Sequence, residues 1–197
     1  NYRLNYPIGI KQTDKFFRTL ELLTNSSTPK KHVEERGRLV DSYLDGHKYV
    51  FGKRVVLYGE EDFVLGLYSF LLEIGTHPVL VASGGQSGIL KQRIIETQNE
   101  LGINKEVIIK DDIDFTEIEE LSKELSPDLI IGNSKGYSFS KKTNIPLIRV
   151  GFPIHDRFGG QRILHLGYRG TQNLFDTIVN TIIEKRQGSS KIGYSYM

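Results

Sequence analysis

From Lys53 to Arg186 short apolar runs alternate with longer stretches whose apolar residues recur every three or four positions. The runs are too short for helices and rich in branched residues, so they predict strands at Val55–Tyr58, Val79–Ala82, Glu106–Lys110, Leu129–Ile131 and Leu147–Val150. The longer stretches predict helices at Asp62–Ile74, Gly88–Leu101, Phe115–Leu125 and Thr171–Arg186. This alternation predicts a Rossmann-like α/β fold, a parallel sheet with helices on both faces. The order of the strands is not readable from the pattern. The 62–74 helix is apolar nearly all round, which predicts deep burial. The last helix places Leu174, Ile178 and Ile182 on one stripe.

Ahead of the first strand the pattern is helical. An extended lead is followed by a helix through Leu23, for which Thr13 or Asp14 could serve as cap. Asn25-Ser26-Ser27-Thr28-Pro29 is a turn cluster, and a charged helix follows from Lys31 to Tyr49. The pattern therefore divides the chain into a helical lead-in at 1–50, an α/β domain at 51–187 and a Gly/Ser-containing tail at 188–197, expected to be flexible.

Composition narrows the functional classes. Of 197 residues, 38% are hydrophobic and 25% charged, the balance of a soluble globular chain with room for one good core. The net charge of +2, with no basic tract interleaved with aromatics, argues against a nucleic-acid partner. No apolar run approaches the roughly 20 residues of a membrane helix, and no signal peptide is visible, so a cytoplasmic protein is expected. Cysteine is absent, which excludes disulfides and cysteine-ligated iron-sulfur clusters within these residues. The chain opens on Asn1 without methionine and reads as a fragment of something longer.

Several motifs could carry chemistry. Gly132-Asn133-Ser134-Lys135-Gly136 follows a strand and fits Gly-x-Ser-x-Gly, the elbow of a serine hydrolase, with Asp156 and either His155 or His165 as partners. Against that, 135–143 makes a poor buried helix, whereas the elbow needs strand, turn and helix. Ser83-Gly84-Gly85-Gln86-Ser87-Gly88 resembles a phosphate-cradling loop, but it follows the second strand. The turn after the first strand, Gly59-Glu60-Glu61-Asp62, would repel phosphate. Asp41 and Asp45 share one helix face and could supply half of a hard-cation site; the plainer reading is a solvated face paired with Arg38 and Lys48. The glycine- and arginine-rich stretch from His155 to Gly170 could grip carboxylates or phosphates, although an irregular loop held by Asp156–arginine pairs explains it as well. His32, His47 and His77 form no metal-binding constellation and read as surface or packing residues.

An ordered set of short motifs spans almost the whole chain. It comprises Pro7-Ile8-Gly9 with Thr13-Asp14, Glu35-Arg36-Gly37-Arg38-Leu39-Val40-Asp41, Asp45-Gly46-His47, Gly52-Lys53, Tyr58-Gly59 and Asp62-Phe63. It continues through Gly66-Leu67, Phe70-Leu71, Pro127-Asp128, Gly132-Asn133-Ser134-x-Gly136 and Pro146-Leu147-Ile148-Arg149-x-Gly151-Phe152-Pro153. Asp156-Arg157, Gly167-Tyr168-x-Gly170 and Val179-Asn180 close it. In this order the set resembles the C-terminal part of β-type subunits of the nitrogenase component 1 family.

The resemblance implies a role in nitrogen fixation within an assembly of two α-like and two β-like subunits. It further implies a docking ATP-dependent iron protein as reductase. Iron-sulfur clusters, and an iron-molybdenum cofactor or its precursor, would be bound outside these residues. The fragment itself is expected to be non-catalytic. The resemblance also implies that Asp41 and Asp45 contribute to a metal site shared between two β-like copies. The span from Tyr137 to Ile145 is short, Phe158-Gly159-Gly160-Gln161-Arg162 follows Asp156-Arg157, and Gly167-Tyr168-Arg169-Gly170 stands near the last helix. These three features look more like the scaffold on which the cofactor matures than like the catalytic molybdenum-iron β chain, the alternative that the front half matches as well.

Overall fold

The computed structural model describes residues 2–190. Five parallel strands, β1 (Arg54–Tyr58), β2 (His77–Ala82), β3 (Ile108–Lys110), β4 (Leu129–Gly132) and β5 (Leu147–Arg149), form one sheet in the order β3-β2-β1-β4-β5. The helices are α1 (Gly9–Thr24), α2 (Lys30–Val50), α3 (Glu61–Glu73), α4 (Leu90–Leu101), α5 (Phe115–Leu125), α6 (Tyr137–Thr143) and α7 (Gly167–Ser189). The α/β class, the parallel sheet and the helices ahead of the first strand agree with the sequence pattern.

The pleat sorts the strand residues into two cores. Val55, Leu57, Val81, Ile131 and Ile148 face α3, α4 and α7, while Val56, Tyr58, Leu80, Ala82 and Ile130 face Ile118 of α5 and Phe139 of α6. All residues from Val64 to Leu72 in α3 are buried, because this helix lies under the sheet with α1 and α4 against its other sides. Burying one large apolar side chain stabilises by about 1.5–3 kcal/mol, so α3 is a main anchor of the fold.

α2 and α7 lie side by side in the same direction. Their contacts advance in step: Gln172 donates to Ser42 at 2.7 Å, the Tyr43 and Phe175 rings lie 4.9 Å apart, and Gly46 sits beneath Phe175 and Val179. A Cβ at Gly46 would fall 2.5 Å from the Phe175 ring, so this glycine sets the approach of the two helices.

Several elements differ from expectation by a residue or more, and four of the differences have a physical reason. First, α1 starts at Gly9, ahead of Thr13 and Asp14, so neither residue caps it. Its first amides are satisfied from α3 instead: Ile10 and Lys11 donate to the Glu73 carboxylate at 2.7 and 2.9 Å. Second, α4 starts at Leu90 instead of Gly88, whose φ of +71° lies outside the helical region. Third, 137–143 is helical, with Phe139 driven into the core. Fourth, α7 opens at Gly167, whose N–H donates to Pro7 O at 2.8 Å, and runs through Ser189. The first residues of the expected flexible tail thus belong to a helix; the rest of it, 191–197, lies outside the described residues.

Candidate functional site

In an open parallel sheet the crevice for function lies beyond the C-terminal strand ends, where the strand order reverses. Here that point falls between β1 and β4. Tyr58 ends β1, and its hydroxyl donates to Asn133 O and accepts from the Gly136 N–H at 2.9 Å. Burial pushes its pKa well up, so it stays a neutral phenol. Any Cβ at Gly132 or Gly136 would collide with the Tyr58 side chain, which is the physical reason for both glycines of the Gly-x-Ser-x-Gly motif. Asn133 caps the turn by accepting from the Lys135 N–H.

Ser134 is part of a clamp. Its hydroxyl donates to Asp156 Oδ1 at 2.7 Å and accepts from the His155 backbone N–H at 2.8 Å. Arg149, at the end of β5, grips the Asp156 carboxylate through Nε at 2.9 Å and Nη2 at 2.6 Å. Arg157 adds a contact at 3.5 Å. The Arg149 fork, helped by Ser134, holds the Asp156 pKa down to about 2.

This geometry argues against the hydrolase alternative. A serine nucleophile needs an imidazole to take its proton. Ser134 instead gives its hydrogen bond to a carboxylate pinned in its ionised form. His155 contributes only its backbone, and the His165 ring is buried against Phe63, with its pKa lowered by desolvation. The strand, turn and helix of an elbow are all present after all, since α6 follows the turn, but they serve to tie the loop after β5 to the end of β4.

The glycine loop after β2 is also accounted for. Ser87 N–H donates to Glu61 Oε1 at 3.2 Å, and a Cβ at Gly85 would fall 2.7 Å from the same oxygen. A carboxylate of α3 therefore fills the space where a phosphate would sit.

Other motif residues converge where α1, α2 and α7 meet. Asp14 receives Arg36 Nε and Nη2 at 2.9 and 3.0 Å and the Tyr168 hydroxyl at 2.7 Å. Gly9 N–H donates to Thr171 Oγ1 at 2.9 Å, and Thr13 Oγ1 donates to Pro7 O at 3.1 Å. Glu73 accepts from the Tyr43 hydroxyl at 2.9 Å as well as from α1. Burial raises the Glu73 pKa against those donors. A third cluster lies at the opposite end of the sheet, where Asp128 accepts from Arg54 N at 2.8 Å and Lys53 Nζ at 3.2 Å.

Asp41 and Asp45 stand exposed on α2. Among the described residues, no group of three or more His, Cys, Asp or Glu is placed to hold a metal ion. The two aspartates therefore supply at most part of a hard-cation shell, since calcium takes six to eight oxygens. The chain has no thiolate to offer a cluster. Sequence reasoning gave Asp156 paired with arginine, as the structure has it, but missed Tyr58, Glu73 and the part of Arg149. Tyr58 and Glu73 meet partners 30 or more residues away, so no local signal marked them.

The sequence matches the nitrogenase component 1 type oxidoreductase family over residues 1–183. It is 36% identical over 180 residues to the nitrogenase molybdenum-iron protein beta chain of Methanothermobacter thermautotrophicus, covering 91% of this chain and 39% of that protein. Against the beta chain of Azotobacter vinelandii it is 36% identical over 192 residues, covering 93% and 36%. A solved chain of nitrogenase Cp1 at pH 6.5 superposes with a TM-score of 0.92 at 32% identity, covering 98% of this chain and 42% of that one. A chain of nitrogenase Cp1 at pH 5 shares the fold, with a TM-score of 0.69 at 13% identity. The chain thus spans about two-fifths of the length of these beta-chain relatives. With the family matched over nearly its whole length, the chain belongs to the nitrogenase component 1 family.

Proposed function

We propose that this chain is the C-terminal domain of a β-type subunit that serves nitrogen fixation as the scaffold on which an iron-molybdenum cofactor precursor matures. The likeness to beta chains along nearly the whole domain supports the β-type reading. The loop Phe158-Gly159-Gly160-Gln161-Arg162 and the Gly167-Tyr168-Arg169-Gly170 turn favour the scaffold. In this reading the domain frames the assembly without doing redox chemistry, since it has no cysteine. Its partners are an α-like subunit, a second β-like copy and an ATP-dependent iron protein reductase, in the cytoplasm. A second reading, the catalytic beta chain, is favoured by the names of the relatives.

Purifying the full-length protein anaerobically with its α-like partner separates the two. The assay is acetylene and dinitrogen reduction with reductase, ATP and dithionite. Clusters without dinitrogen reduction, together with activation of cofactor-deficient nitrogenase, support the scaffold. Robust dinitrogen reduction by a metal-replete complex makes it the catalytic chain. Absence of both clusters and partner removes both readings.

In the same assembly Asp41 and Asp45 contribute carboxylate oxygens to a hard-cation site completed by another copy. Replacing both by Asn is expected to remove that ion from the purified complex, read by mass-spectrometric metal analysis. Unchanged metal content rules the site out.

A further inference from the structure

A cavity of about 190 Å³ opens at the C-terminal edge of the sheet, beside the clamp. Its walls include Tyr6, Tyr58, Phe63 and Phe152, and Glu60 stands at its rim. Tyr6 and Phe63 meet edge to face, 5.6 Å between centroids at 88°, so their rings form two sides of a corner. Phe152 is 69% exposed, a large apolar ring that the described fold leaves uncovered. Gly151, at a φ of +72°, holds this wall in place; a Cβ there would meet the Phe63 ring at 3.3 Å.

The lining selects for charge and size. Lysine and arginine are missing among the described lining residues, and the one carboxylate there is Glu60. Tyr58 has no proton to spare, since its hydroxyl donates to Asn133 O. An anion would therefore find no charged donor, and a neutral polar ligand would find few partners. Aromatic faces carry negative quadrupole charge and attract cations, and apolar walls suit methyl groups. The volume falls below the roughly 300 Å³ at which pockets for larger ligands begin. A nucleotide or a cluster does not fit; a trimethylammonium-sized head does.

We propose that this cavity is an aromatic cage for a small alkylammonium group, with Tyr6, Phe63 and Phe152 as walls and Glu60 as counter-charge. The plain alternative is an apolar dent indifferent to charge. Calorimetric titration of the full-length protein with choline, against its neutral isostere 3,3-dimethylbutan-1-ol, decides between them. Choline is expected to bind about ten-fold or more tightly than the alcohol, the scale of a desolvated cation–π contact. Glu60→Gln and Phe152→Leu alter exposed side chains, so the circular dichroism should be unchanged while choline affinity falls roughly three- to ten-fold.

A third probe, Nα-acetyl-lysine methylamide, distinguishes sources. Tighter binding than choline assigns the cation to a lysine presented by a partner chain, and weaker binding assigns it to a free small molecule. Equal affinity for choline and the neutral alcohol, or no binding of any probe, overturns the cage.

Discussion

At the scale of single residues, carboxylates in unlike surroundings do most of the organising. Asp156 is depressed to about 2 from an ordinary 3.8, chiefly by Arg149. A depressed carboxylate stabilises the fold above its unfolded pKa, and the contribution is lost as pH falls through the folded value. The clamp should therefore fail between about pH 4 and pH 2. Comparing Asp156→Asn with the parent chain tests this: the parent's higher melting temperature at pH 7 should shrink towards zero across that window. A gap that persists at pH 2 would show that the charge is not what holds the loop. Glu73 behaves in the opposite sense, because burial raises its pKa and stability is lost as pH rises through that value. What it contributes is acceptance, from two α1 amides and a phenol. Glu73→Leu strands those donors and should cost about 2–4 kcal/mol in chemical denaturation. Gly9→Ala should be destabilising as well, because Gly9 has a φ of +87° and a Cβ would sit 3.0 Å from Glu73 Oε1.

At the scale of elements, the parallel pairing of α2 with α7 can be tested directly. The C-terminal ends of both helices fall together, and Lys48, Lys53, Lys185 and Arg186 line the groove between them. The helix macrodipoles place partial negative charge at that end, which favours cations there. The close approach of the two helices rests on Gly46, which leaves room for the Phe175 ring. Gly46→Ala should cost about 1–3 kcal/mol through overpacking, despite the better helix propensity of alanine. Gly37, on the open side of α2, provides the control, since an added Cβ there would have nothing within 4 Å. Gly37→Ala should be neutral or stabilising by up to about 1 kcal/mol. If the two substitutions act alike, the helix contact is not what Gly46 protects.

At the scale of the whole molecule, several large apolar side chains of one loop are exposed among the described residues. These are Phe158, Ile163, Leu164 and Leu166 of the loop after β5. In the assembly proposed above, these side chains form part of a protein interface. The isolated domain should self-associate in sedimentation velocity, and Phe158→Ser with Leu164→Ser should reduce that association. In the full-length assembly the same loop should gain protection from hydrogen exchange. The clamp of Asp156 with Arg149 and Ser134 gives this loop its fixed anchorage, so the residue and whole-molecule predictions are linked: Asp156→Asn should weaken assembly as well as acid stability.

The chain by itself determined the α/β class, most helices and strands to within a few residues, the buried status of α3 and the family resemblance. Those are written in periods of two and of three to four residues and in ordered local motifs. Strand order was decided only by the fold, because strands of similar apolar character carry no label for their neighbours. The start of α1 at Gly9 came from Glu73, more than sixty residues away, and no local cap could have announced it. The Gly-x-Ser-x-Gly motif looked catalytic from its spacing, and the tertiary structure gave its glycines to Tyr58 and its serine to Asp156. Hydrogen bonds between residues distant in sequence depend on how separate elements are brought together, whereas hydrophobic periodicity belongs to each element alone.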